Sequence, residues 1–412
     1  MKKYLLAFST MLCMCFTFVA CGGDDDDVPG SGGEEGGGTV VVPSGKVDPA
    51  KEKQYIESVG QELAKLFRAS DFQDIADMAN ELDDIEGDDV FEDFIETTEK
   101  GYDEIDLIKL ANIKGSFVGS FKNKSMKRTS STGDLNISYT ASDNKQWVLS
   151  VSHSGNLGTV TLDEEWDYHY SGGHYNEYIT TTKMEIPKTV KAKLTKANET
   201  VAEVNLTINS LTITDGEPSQ ASKASYTLSS KVKDFEVTSN AEYNPGGKTI
   251  VKANVKKGKT NVATVTVEGN SSLSKGEISN GNVTSLNVCI LDKLNVKGNI
   301  NDIKSLADAL EEAEDNDENE TTFDRWLKNA NSYIDLGLYN NNSTKQASII
   351  FGKDADKDYW GGSYHTYYEI VPMIEFTDGT SYSFEEYFDE KTFKSLMDEV
   401  DKIINEFEKL VD

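Results

Sequence analysis

Val190-Lys191-Ala192-Lys193-Leu194-Thr195, followed after a short interval by Val201-Ala202-Glu203-Val204-Asn205-Leu206-Thr207-Ile208, is the stretch that decides the fold. Val190, Ala192 and Leu194 alternate with Lys191, Lys193 and Thr195, and the return arm places Ala202, Val204, Leu206 and Ile208 on one face. A period of two with one apolar and one polar face belongs to antiparallel strands buried on one side. The unit is repeated. Val190-Lys191-Ala192 and Val201-Ala202-Glu203-Val204 return 61 positions later as Val251-Lys252-Ala253 and Val262-Ala263-Thr264-Val265. Parity then places the turns: if Leu194 opposes Ala202 the loop is odd and centred on Asn198, and if Val255 opposes Ala263 it is centred on Lys259. A three-residue loop with one left-handed position suits Asn198, and Gly258 eases the second turn. A fainter third copy lies upstream, where Leu135, Ile137, Tyr139 and Ala141 face Trp147, Leu149 and Val151 across Asp143-Asn144-Lys145.

Working outward, the period stays near two from Ile113 to about Val296, with long partners at Leu157–Tyr170, Tyr175–Ile186, Tyr226–Val237 and Val283–Val296. About ten antiparallel strands are expected, a sheet wide enough that it must curl, close or be covered on its apolar face. Helical periodicity flanks it. Tyr55, Ile56, Val59, Leu63, Leu66 and Phe67 form one stripe, and Phe72, Ile75, Met78, Ala79, Leu82 and Ile85 another, with Ser70 and Gln73 as a capping box and Gly87 as its end. Shorter helical pieces follow at Val90–Ile95 and Tyr102–Leu110, and the acidic outer face of these helices reads as solvation. After Asn301 come stripes at Ile303, Leu306, Ala307 and Leu310 and at Phe323, Trp326, Leu327 and Ala330, separated by an acidic loop over Glu311–Glu320. Strands return at Ala347–Phe351 and Tyr364–Phe376, where Pro372 marks an edge or a bulge. A last helix carries Phe393, Leu396, Met397, Val400, Ile403, Ile404, Phe407 and Leu410. The fold class is α+β: a wide antiparallel β-meander built from duplicated hairpins, with N- and C-terminal helices covering its apolar face.

At the N-terminus, Lys2 and Lys3 precede an apolar run from Tyr4 to Val19 that ends in Phe18-Val19-Ala20-Cys21. This is the layout of a secretory signal, and the final four residues resemble the lipobox of bacterial lipoproteins. The resemblance implies cleavage before Cys21, a diacylglycerol on its thiol and an acyl chain on its new amino group. Asp24–Asp27, set behind Gly22 and Gly23, is similar to the acidic run by which some Gram-negative bacteria send lipoproteins to the cell surface. Domain organisation follows: signal 1–20; lipidated Cys21 and an acidic, Gly-rich tether over 21–46; a helical segment over 47–111; the sheet with its hairpin repeat over 112–300; helices, an aromatic hairpin and the C-terminal helix over 301–412.

The 412 residues carry a formal charge of −30, which argues against nucleic acid and against adsorption on anionic head groups. Of the four cysteines, Cys13 and Cys15 leave with the signal and Cys21 takes lipid; Cys289 then stands alone in an apolar run as a core residue, and no intramolecular disulfide is possible.

Two aromatic stretches are the candidate sites. Trp166, Tyr168, His169 and Tyr170 precede a Gly-Gly pair that His174 and Tyr175 follow; Tyr359 and Trp360 precede another that Tyr364 and His365 follow. Each reads as a hairpin tip. The rings can form a platform for a glycan or a protein partner, or cross-strand pairs that stabilise the hairpin. No His-x-x-x-His spacing supports a metal site from His169, His174 and His365. Asp354, Asp356 and Asp358 resemble the start of an EF-hand loop, but its sixth and twelfth positions are Tyr359 and His365, leaving only a looser calcium site at a turn. His153 reads as a sheet residue, and Lys122, Lys124, Lys127 and Arg128 as a solvated turn. No nucleophile or phosphate-loop motif is present. The expectation is a non-catalytic, surface-exposed outer-membrane lipoprotein that needs no cofactor beyond its lipid. It would be anchored to the membrane through Cys21 and bind a glycan or surface protein through Trp166, Tyr168, His169, Tyr170, His174, Tyr175, Trp360, Tyr364 and His365. The alternative is a periplasm-facing protein that binds lipid or another hydrophobic ligand on a half-open sheet, similar in outline to the periplasmic lipoprotein-carrier fold; a hydrolase comes third.

Overall fold

The computed structural model describes residues 49–83, 105–171, 174–274, 277–341, 343–360, 363–387 and 394–411. The expectations for Cys21, Asp24–Asp27, Gly87 and Val90–Ile95 lie outside them. Helices α1 (Pro49–Ala64), α2 (Gln73–Asp83) and α3 (Ile105–Asn112) come first. The sheet opens with β1 (Ser116–Ser120), β2 (Ser125–Ser130), β3 (Leu135–Thr140) and β4 (Gln146–Ser154). β5 (Gly158–Ser171) and β6 (His174–Ile186) pair only with each other. β7 (Thr189–Lys196) and β8 (Glu199–Ser210) return to the sheet, and a small pair, β9 (Ile213–Thr214) and β10 (Glu217–Pro218), precedes β11 (Ala224–Val232). A plain meander follows through β12 (Phe235–Tyr243), β13 (Gly247–Lys257), β14 (Thr260–Ser274), β15 (Glu277–Ile290) and β16 (Leu294–Ile300). Helices α4 (Ile303–Glu314) and α5 (Glu320–Ser332) stand before β17 (Ile334–Tyr339), β18 (Lys345–Trp360), β19 (Ser363–Phe376) and β20 (Ser381–Ser383). The chain closes with α6 (Phe384–Tyr387) and α7 (Lys394–Val411).

Sixteen strands form one sheet in the order β2-β1-β3-β4-β7-β8-β11 and then consecutively to β20, antiparallel except for the parallel pair β1–β3. Twelve of them lie between Ser116 and Ile300, where about ten were expected, and four follow the second helical segment. The two long strands β5 and β6, expected inside the sheet, are instead a hairpin inserted between β4 and β7, which pair directly from Trp147↔Lys196 to Ser154↔Thr189. Alternation shows that a segment is a strand, but not which strand it pairs with.

The parity of the repeat holds, with Leu194 opposite Ala202, Val255 opposite Ala263 and Tyr139 opposite Trp147. The expected three-residue loop does not form. Ala197 and Asn198, at φ 50° and 69°, make a two-residue turn between Lys196 and Glu199, and the odd count is taken up by a bulge at Val201. Gly258, at φ 59°, leads the second turn, and Val262 is the matching bulge. Two left-handed residues match the twist of the flanking strands, and a bulge adds one residue to one arm only. Both bulge valines are turned into the core, at 5% and 2% exposure.

The turn end of the apolar face is where the helices sit. Phe117, Leu135, Ile137, Tyr139 and Trp147 pack with Met78 of α2 and Ala111 of α3. Phe235 stacks on Phe67 and Phe72, each with ring centroids 5.4 Å away. Farther along, Leu294, Leu338, Ala347 and Phe376 receive Ile56 and Val59 of α1. The C-terminal helix α7 packs mainly on α1 and α2, as an outer layer, with Phe407 reaching in to Phe72 at 5.6 Å. On the opposite, polar face the register lines up Lys193, Glu203, Lys231, Glu236 and Lys256 across five adjacent strands. Alternating signs favour these neighbours.

The acidic face of the N-terminal helices is not simply solvated. Lysines at successive hairpin turns reach it: Lys196 lies 2.9 Å from Asp74, Lys233 lies 3.1 Å from Asp74, Lys257 meets Asp71 and Lys293 meets Glu62. Lys196 and Lys257 are equivalent in the repeat. Each sits over the aromatic ring directly across from it, Trp147 at 4.8 Å and Phe235 at 4.7 Å. Burial disfavours the charged form of Asp74, but hydrogen bonds from Lys196 and Lys233 more than offset this and hold its carboxyl below the usual range. Glu81 of α2 likewise accepts from the Ser142 amide at 3.1 Å, tying helix to turn.

Two smaller expectations change and a third holds. Gln73 donates to Asp77 at 2.7 Å, and Ser70 lies within a 3-10 turn (Ala69–Asp71) whose cap is Arg68, so no Ser70–Gln73 capping box forms. The acidic stretch after Leu310 remains helical to Glu314, because Ala309 and Ala313 are buried where Ala307 is not; only 315–319 connects α4 to α5. Pro372 does lie at an edge: β20 pairs with Met373–Glu375 and stops short of it.

Candidate functional site

Hairpin turns beneath the helices define one end of the sheet. At the other end β14–β15 and β18–β19 run past their shorter neighbours β13, β16, β17 and β20, and β5–β6 is inserted between the ends of β4 and β7 there. Strands β16 and β17 are short, and the α4–α5 pair fills the notch they leave between the two longer arms, packing on β15, β17, β18 and β19.

The β18–β19 arm is held rigidly on that helical pair. Lys353 bonds Glu320 at 2.8 Å and Asp324 at 2.7 Å and lies 5.0 Å over the Tyr368 ring. Burial opposes the charge on Lys353, yet the two carboxylates keep its ammonium above the usual lysine range. The Tyr368 ring packs on Phe323 at 5.7 Å, and its amide donates to the Asp317 carbonyl at 3.0 Å. Beyond these contacts β18 and β19 continue paired with each other to the tip.

At the tip the register places Tyr359 opposite Tyr364, and their rings lie 5.0 Å apart at 60°. They pack on each other, as cross-strand pairs do, and remain 60% and 75% exposed. Both sequence readings therefore meet in one pair: it braces the hairpin, and it offers aromatic surface to solvent. Tyr359 was absent from the expected set. The signal for it was the Gly-Gly turn, which makes residues equidistant from it partners. His365 sits one position on and so faces the other way, with Nε2 3.2 Å from the Ser363 hydroxyl. Trp360 ends β18 opposite Ser363; its side chain lies outside the described residues.

On β5–β6 the register pairs Trp166 with Ile179, Tyr168 with Glu177, His169 with Asn176, Tyr170 with Tyr175 and Ser171 with His174. The side chains of Trp166, Tyr168, His169, Tyr170, His174 and Tyr175 are outside the described set. The base of this arm is fixed through Val160, Met184 and Ile186 packed with Ile108 and Ile208. Nine strand steps separate β7 from β18, roughly 43 Å measured along the sheet. The two aromatic hairpins are therefore attached to the sheet at different places, β5–β6 between β4 and β7 and the other as β18–β19. Among the described residues no three His, Cys, Asp or Glu side chains converge as a metal site. Asp354, Asp356 and Asp358 lie along the middle of β18 and not at a turn, so the loose calcium loop does not form.

His153 Nε2 accepts from Lys114 Nζ at 2.8 Å, and Asp134 lies 3.4 Å from Nδ1. It lines a cleft of about 160 Å³ with Asn112, Ser154, Gly155, Glu185 and Pro187. The Ser154 hydroxyl there is occupied with Thr189 at 2.6 Å. Cys289 is half-buried, and burial pushes its thiol above the usual range, away from nucleophilic reactivity.

No known protein family, curated protein or solved structure matches this chain.

Proposed function

We propose that the protein is a lipid-anchored outer-membrane protein, displayed at the cell surface, that binds a glycan or a protein partner without catalysing a reaction. The observation that carries this reading is the exposed Tyr359–Tyr364 pair at the end of a braced arm. The direction of the arm supports it. The described chain begins at α1, whose Lys53 lies 4.0 Å over the Tyr382 ring at the turn end of the sheet. A tether from Cys21 would enter the described structure at the end opposite the Tyr359–Tyr364 tip, an arrangement compatible with display. Phe67, Phe72 and Phe235 fill the turn end of the apolar face with their own rings, which favours display over carriage of a lipid there.

Cys21→Ser should abolish membrane fractionation, with the wild type cut by protease on intact cells; a variant that still sediments with membranes after a carbonate wash would refute the anchor. Binding is tested with a glycan array and pull-downs. Tyr359→Ala and Tyr364→Ala should each weaken binding by about 1–3 kcal/mol, the range for a central aromatic contact, while leaving the melting temperature nearly unchanged. A lowered melting temperature with no wild-type ligand retained would assign the pair to packing alone.

A further inference from the structure

We infer that Asp354, Asp356 and Asp358 close the outer edge of β18 against strand addition, and that the strand they keep out is β18 of a second copy of this chain. An edge strand presents unpaired N–H and C=O groups that template pairing with another chain. Strand β17 covers β18 only as far as Ile349. At Phe351 the Asn331 side chain takes over as a one-residue imitation of a strand: it accepts from the Phe351 amide at 2.8 Å and donates to its carbonyl at 2.7 Å. This contact shows that the odd-numbered residues of β18 direct their main-chain groups outward. Farther out, among the described residues, no strand other than β19 pairs with β18. There the carboxylates do the work. The Ala355 amide donates to Asp354 at 2.8 Å, Lys357 to Asp356 at 2.7 Å and Tyr359 to Asp358 at 2.7 Å.

A second copy is the natural intruder because a two-fold pairing needs only one strand to be complementary to itself. Antiparallel pairing centred on Asp356 would oppose Asp354 to the partner's Asp358 and Asp356 to the partner's Asp356. Like charges directly opposed destabilise such a ladder, so the same three residues occupy the donors and repel the copy. The inference stands whether or not the tip binds a glycan, and it means that partners are met by side chains at the tip and not by main-chain pairing along β18.

The test uses the unlipidated mature chain, Cys21→Ser, and compares it with the same chain carrying Asp354→Ala, Asp356→Ala and Asp358→Ala. Circular dichroism verifies the fold of each. In sedimentation velocity the triple variant should double its mass as concentration rises, while the parent stays monomeric. Adding Lys357→Pro removes one outward N–H at an edge position that tolerates proline, and should restore the monomer. A triple variant that stays monomeric overturns the inference, and so does association that survives the proline. Amide exchange on the parent reads the same contacts without mutation. Ala355, Lys357 and Tyr359 should exchange more slowly than open amides, and exchange at the open rate would equally overturn the inference.

Discussion

Phe235→Ala should destabilise the protein by about 3–5 kcal/mol, the usual cost of deleting a fully buried aromatic ring. Phe235 is 1% exposed and is the ring on which the helical layer meets the sheet. Phe67 and Phe72 stack against it from the segment joining α1 to α2, and the Lys257 ammonium, itself tied to Asp71, sits over it. The truncation therefore removes the ring from both phenylalanines and from the lysine at once. Amide exchange in α2 should rise more than exchange in β3 and β4, which have their own cluster around Trp147 and Tyr139. The control is Val237→Ala, two residues up the same face and half-buried, which should cost clearly less. Denaturant melts decide the matter: a loss below about 1 kcal/mol for Phe235→Ala would mean that the helices are held mainly by their ion pairs.

Ala263→Asp is expected to cost several kcal/mol, because it places an unpaired carboxylate where water does not reach. Ala263 is 2% exposed, flanked across the strands by Val255 and Ile290. The nearest lysine in the repeat, Lys257, is already committed to Asp71. Thr264→Lys, one residue along, points to the polar face and should cost under about 1 kcal/mol. The first copy of the repeat predicts a smaller loss for Ala202→Asp, since Ala202 is only half-buried where Ala263 is covered. Equal losses for Ala263→Asp and Thr264→Lys in the same melts would mean that the sheet is buried on both faces, contrary to the register and exposure described above.

These two substitutions sit at different depths of legibility. The side to which Ala263 points can be read from Val251 to Val267 without a structure, because alternation is a property of the extended backbone and survives whatever packs on it. The importance of Phe235 cannot. It alternates like its neighbours, and only the arrival of Phe67 and Phe72, far away in the chain, distinguishes it. The candidate site divides in the same way. A Gly-Gly turn between aromatic arms marks a hairpin tip, and the register that follows pairs Tyr359 with Tyr364. That the Trp166–Tyr175 hairpin stands outside the main sheet depends on the insertion of β5–β6 between β4 and β7.

What the sequence alone determined was local: two faces, the parity of each duplicated hairpin, the helical stripes on either side and the places where the chain reverses, though not the type of turn. Each follows from side-chain period or from a residue's own backbone preference. What only the tertiary structure decided was partnership. It joined the early strands and those after α5 into one sixteen-stranded sheet, moved one long hairpin out of it, and turned an acidic helix face from solvated surface into the docking partner of the hairpin lysines. The physical reason is distance along the chain. Lys196 meets Asp74 across 122 residues and Lys257 meets Asp71 across 186. Whether a charged side chain is solvated or paired depends on what is folded against it, and no periodicity in its own segment records that.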